Sequence, residues 1–389
     1  MEALRRCVGD VESFLGDHFT RRPLLHHGGC FEDLLSLGTV DAHLSAGGLR
    51  RPAVRLVRDG EVLDPALWTR SARTGRERVH DLVHPGRALC LFAEGATVVL
   101  QSLHRWWEPL ARFCRTLEVE LGHAVQANAY LTPGSSTGFT PHHDTHDVFV
   151  LQLHGTKCWT VREPLVTDPL PRHRSDHARA AEQPVAMEVQ LEPGDCLYLP
   201  RGWIHSAATG TGASLHLTIG VLVTTVHDVL RRLVDLAAEE PRFRRTVRPD
   251  RAQLGEIVAE LSAWLERVEG LAGLDEALAP VLHGPPRRAP LLRGVLSDLA
   301  AIDELDDRTV LVRRDGVGAP TPVGEGVLGL DLGDRRLELP ARLGPALELL
   351  LDGAPHALCE LPGLADPGSR AVLGRRLLRE GVVETVRGA

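Results

Sequence analysis

His142-His143-Asp144 sets an imidazole and a carboxylate two residues apart. A β-strand sends side chains i and i+2 to one face, so on a strand both could reach a single metal ion. Downstream, LEPGDCLYLPRGWIHSAAT offers a third ligand: an apolar segment, Cys196 to Leu199, meets a Pro-Arg-Gly turn and then His205. Two imidazoles and one carboxylate on one side of a metal leave positions open for a co-substrate and oxygen, the pattern of non-haem Fe(II) oxygenases. Taken alone, His-x-Asp also describes a solvated loop histidine beside a turn aspartate.

Lys157 is the only lysine in the chain; every other cationic side chain is arginine or histidine. Arginine serves wherever a surface needs positive charge, so the remaining lysine marks a site that wants a compact ammonium on a flexible stem. A straight strand from Asp144 to Gln152 would run roughly 26 Å. The chain must therefore bend near Thr145-His146-Asp147 to bring Lys157 toward the metal.

Elements around these residues are short. Val125 to Leu131, Val148 to Leu153, Lys157 to Arg162, Val185 to Leu191, Cys196 to Leu199 and Ser214 to Val223 read as strands broken by Gly, Pro and Asp turns. They fit a double-sheet jelly roll whose mouth can hold a metal and a small co-substrate. Glu163 to Pro184 reads as a polar mobile loop over that mouth. Upstream, Val11 to Phe19 and Phe31 to Ala46 read as helical, and Ala53 to Asp59 as a strand. Ala88 to Phe92 and Ala96 to Gln101 flank a turn at Glu94-Gly95. Leu110, Cys114, Leu117 and Leu121 stand at helical spacing within Trp106 to Leu121.

NAYLTP, PHHD with DVFVLQLHGTKCW, and LEPGDCLYLPRGWIH, in this order over the first 220 or so residues, resemble the JmjC-type, cupin-fold protein hydroxylases of the ribosomal oxygenase group. FLGDHFTRRPLL resembles that family's opening segment. The resemblance implies Fe(II) held by His142, Asp144 and His205, with 2-oxoglutarate as co-substrate and O2 as oxidant. It implies that Lys157 holds the far carboxylate of 2-oxoglutarate, and that Asn128, Tyr130 and Thr218 line its pocket. His143 and His146 have no role in the family pattern.

After Val223 the period changes to helical. Val226, Val229, Leu230, Leu233 and Val234 form one stripe; Leu254, Ile257, Val258, Leu261, Leu265 and Val268 form another, opened by Asp250 with Gln253. In the resembling proteins the corresponding region makes a dimer. Gly284 to Pro290 reads as a linker, followed by a helix around Leu291 to Leu305. From Thr309 the order of strands and helices resembles the family's winged helix. The expected fold class is thus a mainly β double-stranded β-helix (1–223) with N-terminal helices, a helical dimerisation region and linker (224–305), and a C-terminal winged-helix-like α+β domain (306–389).

Composition narrows the partners. The chain has 389 residues, 43% hydrophobic, with net charge −8 and its basic residues scattered, which argues against a polyanion partner. From Thr321 to Ala389, eight Arg stand against ten Asp and Glu, a net of −2. Direct DNA contact needs a basic footprint that this segment lacks. Seven cysteines without paired spacing, a charged N-terminus and no long apolar run point to reduced thiols, a cytoplasmic location and no membrane span. The expected activity is hydroxylation of a His or Arg in a basic ribosomal protein by a homodimer. The alternatives are hydroxylation of a natural-product precursor peptide, or a non-catalytic metal-binding cupin regulator with a winged helix.

Overall fold

The computed structural model describes residues 1–134, 136, 140–247, 251–268, 278 and 291–386. The expected linker at Gly284 to Pro290 and the helix-opening Asp250 lie outside the described residues. The chain divides into two compact units, Met1–Gly284 and Pro285–Ala389.

In the first unit an eight-stranded sheet faces a three-stranded one. The larger runs in the order Leu24–His26, Cys196–Leu199, Asp147–His154, Ser214–Leu222, Ala124–Thr132, Thr97–Leu100, Val54–Arg58, Glu61–Val62; the smaller runs Val185–Leu191, Lys157–Arg162, Ile204–Thr209. All their pairings are antiparallel.

Asp147–His154 explains how the two layers are held. Its period of two sends Phe149 and Leu151 outward against Phe14, Leu110, Cys114 and Leu117, while Val148 and Val150 point inward toward Trp159, Val161 and Leu191. Both faces are covered, so the strand reads as a nearly continuous apolar run. Ala124–Thr132 alternates more visibly, burying Val125, Ala127 and Ala129 on the helical side and turning Gln126, Asn128 and Tyr130 the other way. Burying a Leu or Phe side chain contributes about 1.5–3 kcal/mol, so the helix Glu108–Leu121, with Leu110, Phe113 and Leu117 inside, is a principal clamp on the sheet.

The connection between Asp147–His154 and Lys157–Arg162 is Gly155-Thr156. Gly155 has φ +61°, and a Cβ there would lie 2.1 Å from the Ala213 carbonyl oxygen. Only glycine lets this hairpin close against the neighbouring chain and set the position of Lys157.

Several elements differ from the sequence expectation. Pro85–Ala93 is a helix, because Pro85 occupies its first turn and the His84 side chain accepts from the Arg87 N–H. Helix within the segment Phe31 to Ala46 is confined to Leu37–Ser45, capped by Ser36. Val11–Ser13 continues into a π-helical turn, Phe14–His18, in place of a regular helix. The hairpin Thr69–Thr74 with Glu77–Val83 and the strand Ile204–Thr209 carried no signal that stood out.

Val226–Ala237 opens on a capping box in which Thr225 and Asp228 satisfy each other's backbone. Ala237 and Trp264 form a small cluster with Leu233, Leu236, Phe243 and Leu261, so the helix Arg251–Val268 packs on it. Leu230, Val234, Leu254 and Val258 stay exposed, each by more than half.

The second unit has its own core, drawn from Leu311, Leu330, Leu347, Leu350, Leu377 and Val383 among others. Its sheets are His356–Ala357, Val310–Arg313, Val383–Thr385, and Thr321–Gly324, Val327–Asp331, Arg336–Pro340, accompanied by helices Gly344–Leu350 and Pro367–Arg379. Arg314, buried, pairs with Asp298 at 2.6 Å and Glu384 at 2.9 Å. Among the described residues no helix is long and apolar enough to cross a membrane.

Candidate metal centre and its cavity

His142, Asp144 and His205 converge, with one ligand atom from each within 4.8 Å of the others. The strand expected to carry the first two is absent. His142 holds only an isolated bridge to His205, and Asp144 sits in the loop that leads into Asp147–His154. Local alternation nevertheless survives: His143 turns away and is buried, its Nε2 meeting the His173 carbonyl at 3.1 Å and its backbone N–H donating to Ser175.

The imidazoles are oriented by the backbone. His142 Nδ1 lies 2.8 Å from the Thr140 carbonyl and His205 Nδ1 3.1 Å from the Trp203 carbonyl. A carbonyl can only accept, so each Nδ1 carries the proton and Nε2 becomes the ring's lone-pair atom. That is the second-sphere arrangement typical of metal-ligating histidines. Asp144 Oδ2 stands 3.8 Å from His205 Nε2, and the Gly202 N–H donates to the Asp144 carbonyl at 3.0 Å.

Electrostatics suits a cation. Burial pushes the Asp144 carboxyl up, but the imidazoles of His205, His146, His142 and His143 outweigh it and hold the group below its ordinary range. Burial, followed by the charge of His142, pushes His205 down to about 4, against the pull of Asp144. His205 is therefore neutral at physiological pH, as a metal ligand must be.

These residues open on a cavity of about 270 Å³ also lined by Tyr130, Lys157, Thr218, Trp159, His216 and Thr132. Lys157 is 4% exposed and donates to Thr132 Oγ1 at 3.1 Å; burial lowers it to about 8. Among the described residues no carboxylate pairs with it. Thr132 Oγ1 also accepts from Thr97 Oγ1 at 3.2 Å. Its own proton is then left to donate into the cavity.

Tyr130 and His216 stand opposite each other in register and stack, centroids 5.1 Å apart at 6°, while Trp159 meets His216 edge-on at 5.6 Å. Burial raises the Tyr130 hydroxyl, and burial with the Lys157 charge drives His216 well below its usual value. Both are neutral at pH 7. Asn128, expected in this wall, does not line the cavity; its Oδ1 accepts from the Ser102 N–H at 2.9 Å and holds that turn.

Sequence reading missed Thr132, Trp159, Thr97 and Arg55. Trp159 was discoverable, since the period of two from Lys157 turns it to the same side. Arg55 and Thr97 come from strands with no motif. The segment 163–184, expected as a polar loop over the mouth, carries the short helix His177–Ala181 and contacts the metal-site loop: His177 Nδ1 meets the Pro141 carbonyl at 2.9 Å, and Ser175 Oγ engages His143.

Comparison with known proteins agrees with this geometry. Residues 102–229 match the family model of the JmjC domain. The chain is 30% identical over 252 residues to the bifunctional lysine-specific demethylase and histidyl-hydroxylase NO66 of Drosophila persimilis, covering 59% of this chain and 33% of that protein. It is 36% identical over 204 residues to human ribosomal oxygenase 1, covering 49% and 31%. It thus spans about a third of the length of these curated relatives. Among solved structures, the Escherichia coli ribosomal oxygenase YcfD in complex with cobalt and 2-oxoglutarate superposes with TM-score 0.54 at 17% identity, over 97% of this chain and 98% of that one. The X-ray structure of E. coli ycfD gives TM-score 0.59 at 18% identity, with the same coverage.

Proposed function

We propose that this chain, whose residues 102–229 form a JmjC domain, is an Fe(II)- and 2-oxoglutarate-dependent oxygenase that hydroxylates a His or Arg side chain in a ribosomal protein. The observation that carries the proposal is the pairing, in one cavity, of a His142/Asp144/His205 cluster with a buried ammonium that has no carboxylate partner among the described residues. The cobalt and 2-oxoglutarate named for the YcfD neighbour, and the activities named for the relatives, support it.

His142, Asp144 and His205 would hold the iron, their donor set fitting a hard-to-borderline divalent metal with open positions. When bound, iron with 2-oxoglutarate and O2 supplies the oxidation of a substrate C–H bond, coupled to conversion of 2-oxoglutarate to succinate and carbon dioxide. Lys157 and the Thr132 hydroxyl would take the far carboxylate, a charge-assisted contact strengthened by burial. Thr218 and Tyr130 line the same space. The Tyr130–His216–Trp159 wall is neutral and aromatic, so it excludes water from the reacting centre without adding a competing charge.

The finer architecture belongs to the same proposal. Exposed Leu230, Val234, Leu254 and Val258 support a homodimer formed through residues 224–280. The helix Pro367–Arg379 followed by the strand Val383–Thr385 supports a winged-helix-like domain at 306–389, and its acidic balance argues against direct DNA contact. That balance and the buried Lys157 also disfavour a non-catalytic regulator.

An acidic chain suits a basic macromolecule by charge complementarity, and ribosomal proteins are basic. The test is mass spectrometry of ribosomal proteins from cells with and without this gene. Gain of one oxygen on a His or Arg, lost in the deletion, is expected. Turnover coupled to a small metabolite or to a precursor peptide, with ribosomal proteins unmodified, would redirect the substrate assignment.

A further inference from the structure

A second cavity, of about 380 Å³, is built by the segments that carry the metal ligands. Thr145 and His146, which directly follow Asp144, form part of it, with Arg172 of the 163–184 segment, Arg201 of the turn before His205, and Arg231 of the helix Val226–Ala237. Nothing in the reaction proposed above uses it.

Its charge is unusual for a chain of net −8. Three guanidiniums and one carboxylate, Asp228, line it; Asp168, outside the lining, pairs with Arg201, and both carboxylates are committed. Asp228 Oδ2 accepts from the Thr225 N–H at 2.9 Å and Thr225 Oγ1 at 2.6 Å, while Asp168 Oδ1 accepts from Arg201 Nη2 at 3.1 Å. Among the described residues Arg172 and Arg231 make no ion pair, while Arg201 also has the Asp147 carboxylate beside it. Arg201 is 13% exposed, and its buried Nε has no hydrogen-bond partner. The remaining wall is apolar: Pro169, Leu170, Leu222 and Val223.

The occupant that answers this wall has an aliphatic stem and a single negative end. A guanidinium fork receives a carboxylate in two parallel hydrogen bonds. A phosphate dianion would bring a second negative charge against Asp228 and Asp168, with no apolar portion for the prolines and leucines. We propose that this cavity receives an Asp or Glu side chain of the polypeptide substrate, next to the residue being modified. The inference rests on the polypeptide-substrate reading given above. It adds register: an acidic surface draws in a basic partner, and an arginine-lined pocket beside the metal turns away Lys and Arg there and accepts only an acidic residue.

His146 gives a direct reporter. It lines the cavity and fills space left by Gly220, where a Cβ would lie 2.7 Å from its Cδ2. In the zinc-loaded full chain at low ionic strength, N-acetyl-glutamate N-methylamide should shift the His146 and His227 imidazole NMR signals saturably. The glutamine counterpart should not. Combined Arg172→Gln and Arg231→Gln should weaken that binding by about tenfold or more, as expected for loss of charge-assisted contacts. Absence of a saturable shift, an equal response to the glutamine compound, unchanged affinity in the double variant, or tighter binding of inorganic phosphate would each overturn the proposal. Turnover of 2-oxoglutarate by the iron-loaded wild type is read separately, and its absence would count against the oxygenase reading alone.

Discussion

His142 and His205 are joined backbone to backbone: the His142 N–H donates to the His205 carbonyl at 3.2 Å, and the His205 N–H returns the bond at 2.8 Å. Two imidazoles 63 residues apart in sequence are therefore set side by side, centroids 4.5 Å apart, by main-chain geometry. A site held this way is preorganised, and its side chains can be changed without dismantling the frame.

Asp144→Ala tests that separation. The variant loses the one anionic ligand while the bridge between the two histidine backbones stays. Fe(II) affinity and 2-oxoglutarate turnover should fall by about a hundredfold or more, beyond what second-sphere changes usually produce. Its circular dichroism and thermal transition should stay close to wild type. Wild-type iron content in the purified variant would remove Asp144 from the ligand set.

Lys157 makes two linked predictions. Lys157→Ala should weaken 2-oxoglutarate binding by roughly tenfold to a hundredfold, from a lost charge-assisted contact of about 1.5–3 kcal/mol, while iron still binds. Its stability signature follows from burial, which lowers the folded pKa to about 8 from 10.5. Between these values the unfolded chain binds more protons, so wild-type stability should rise with pH across that window. The total is on the order of 3 kcal/mol. Lys157→Met removes the term, so the variant should be the more stable at pH 7.5, with the gap closing toward pH 10.5. A gap in denaturant midpoint that stays constant with pH would place the ammonium in solvent.

Much of this site was legible because its chemistry is local. The triplet at His142 to Asp144, the His205 turn and the solitary Lys157 each stand out by residue type, and the boundaries of Val185–Leu191 and Cys196–Leu199 follow from turn residues on either side. Side-chain destinations were less legible. Asn128 and Thr218 are opposite each other in register, yet one serves the Ser102 turn and the other the cavity. That outcome depends on a left-handed Ser102, φ 54°, 26 residues away. His143 looked redundant beside its neighbours, although its ring anchors the 163–184 segment through His173 and Ser175. Such long-range partners leave no period in the sequence.

Gly155→Ala should be among the most damaging single-methyl changes in the first unit. The added Cβ would meet the Ala213 carbonyl oxygen at 2.1 Å, and a left-handed backbone costs a non-glycine residue about 1–2 kcal/mol before any clash. Overpacking typically adds about 1–3 kcal/mol. Because Lys157 follows two residues later, loss of stability should come with weakened 2-oxoglutarate binding. Gly75→Ala, also at positive φ but with open space around it, is the control for strain alone. Equal destabilisation of the two variants would show that close approach at Gly155 is unimportant.

The exposed stripes give the last prediction. Leu261 packs into the cluster around Trp264, so a polar residue there would damage the helix pair itself and report nothing about assembly. Leu230 at 54%, Val234 at 56%, Leu254 at 55% and Val258 at 64% exposure instead lie on the outer faces of the two helices. Burying one such side chain in a partner contributes about 1.5–3 kcal/mol. A Glu in its place also carries a charge that an apolar interface must desolvate. Leu230→Glu with Val258→Glu should therefore shift a dimer to monomer at micromolar concentration, read by light scattering, with the thermal transition of the helix pair retained. A wild-type monomer under the same conditions, or a double variant that still dimerises, would mean that these stripes are not the contact.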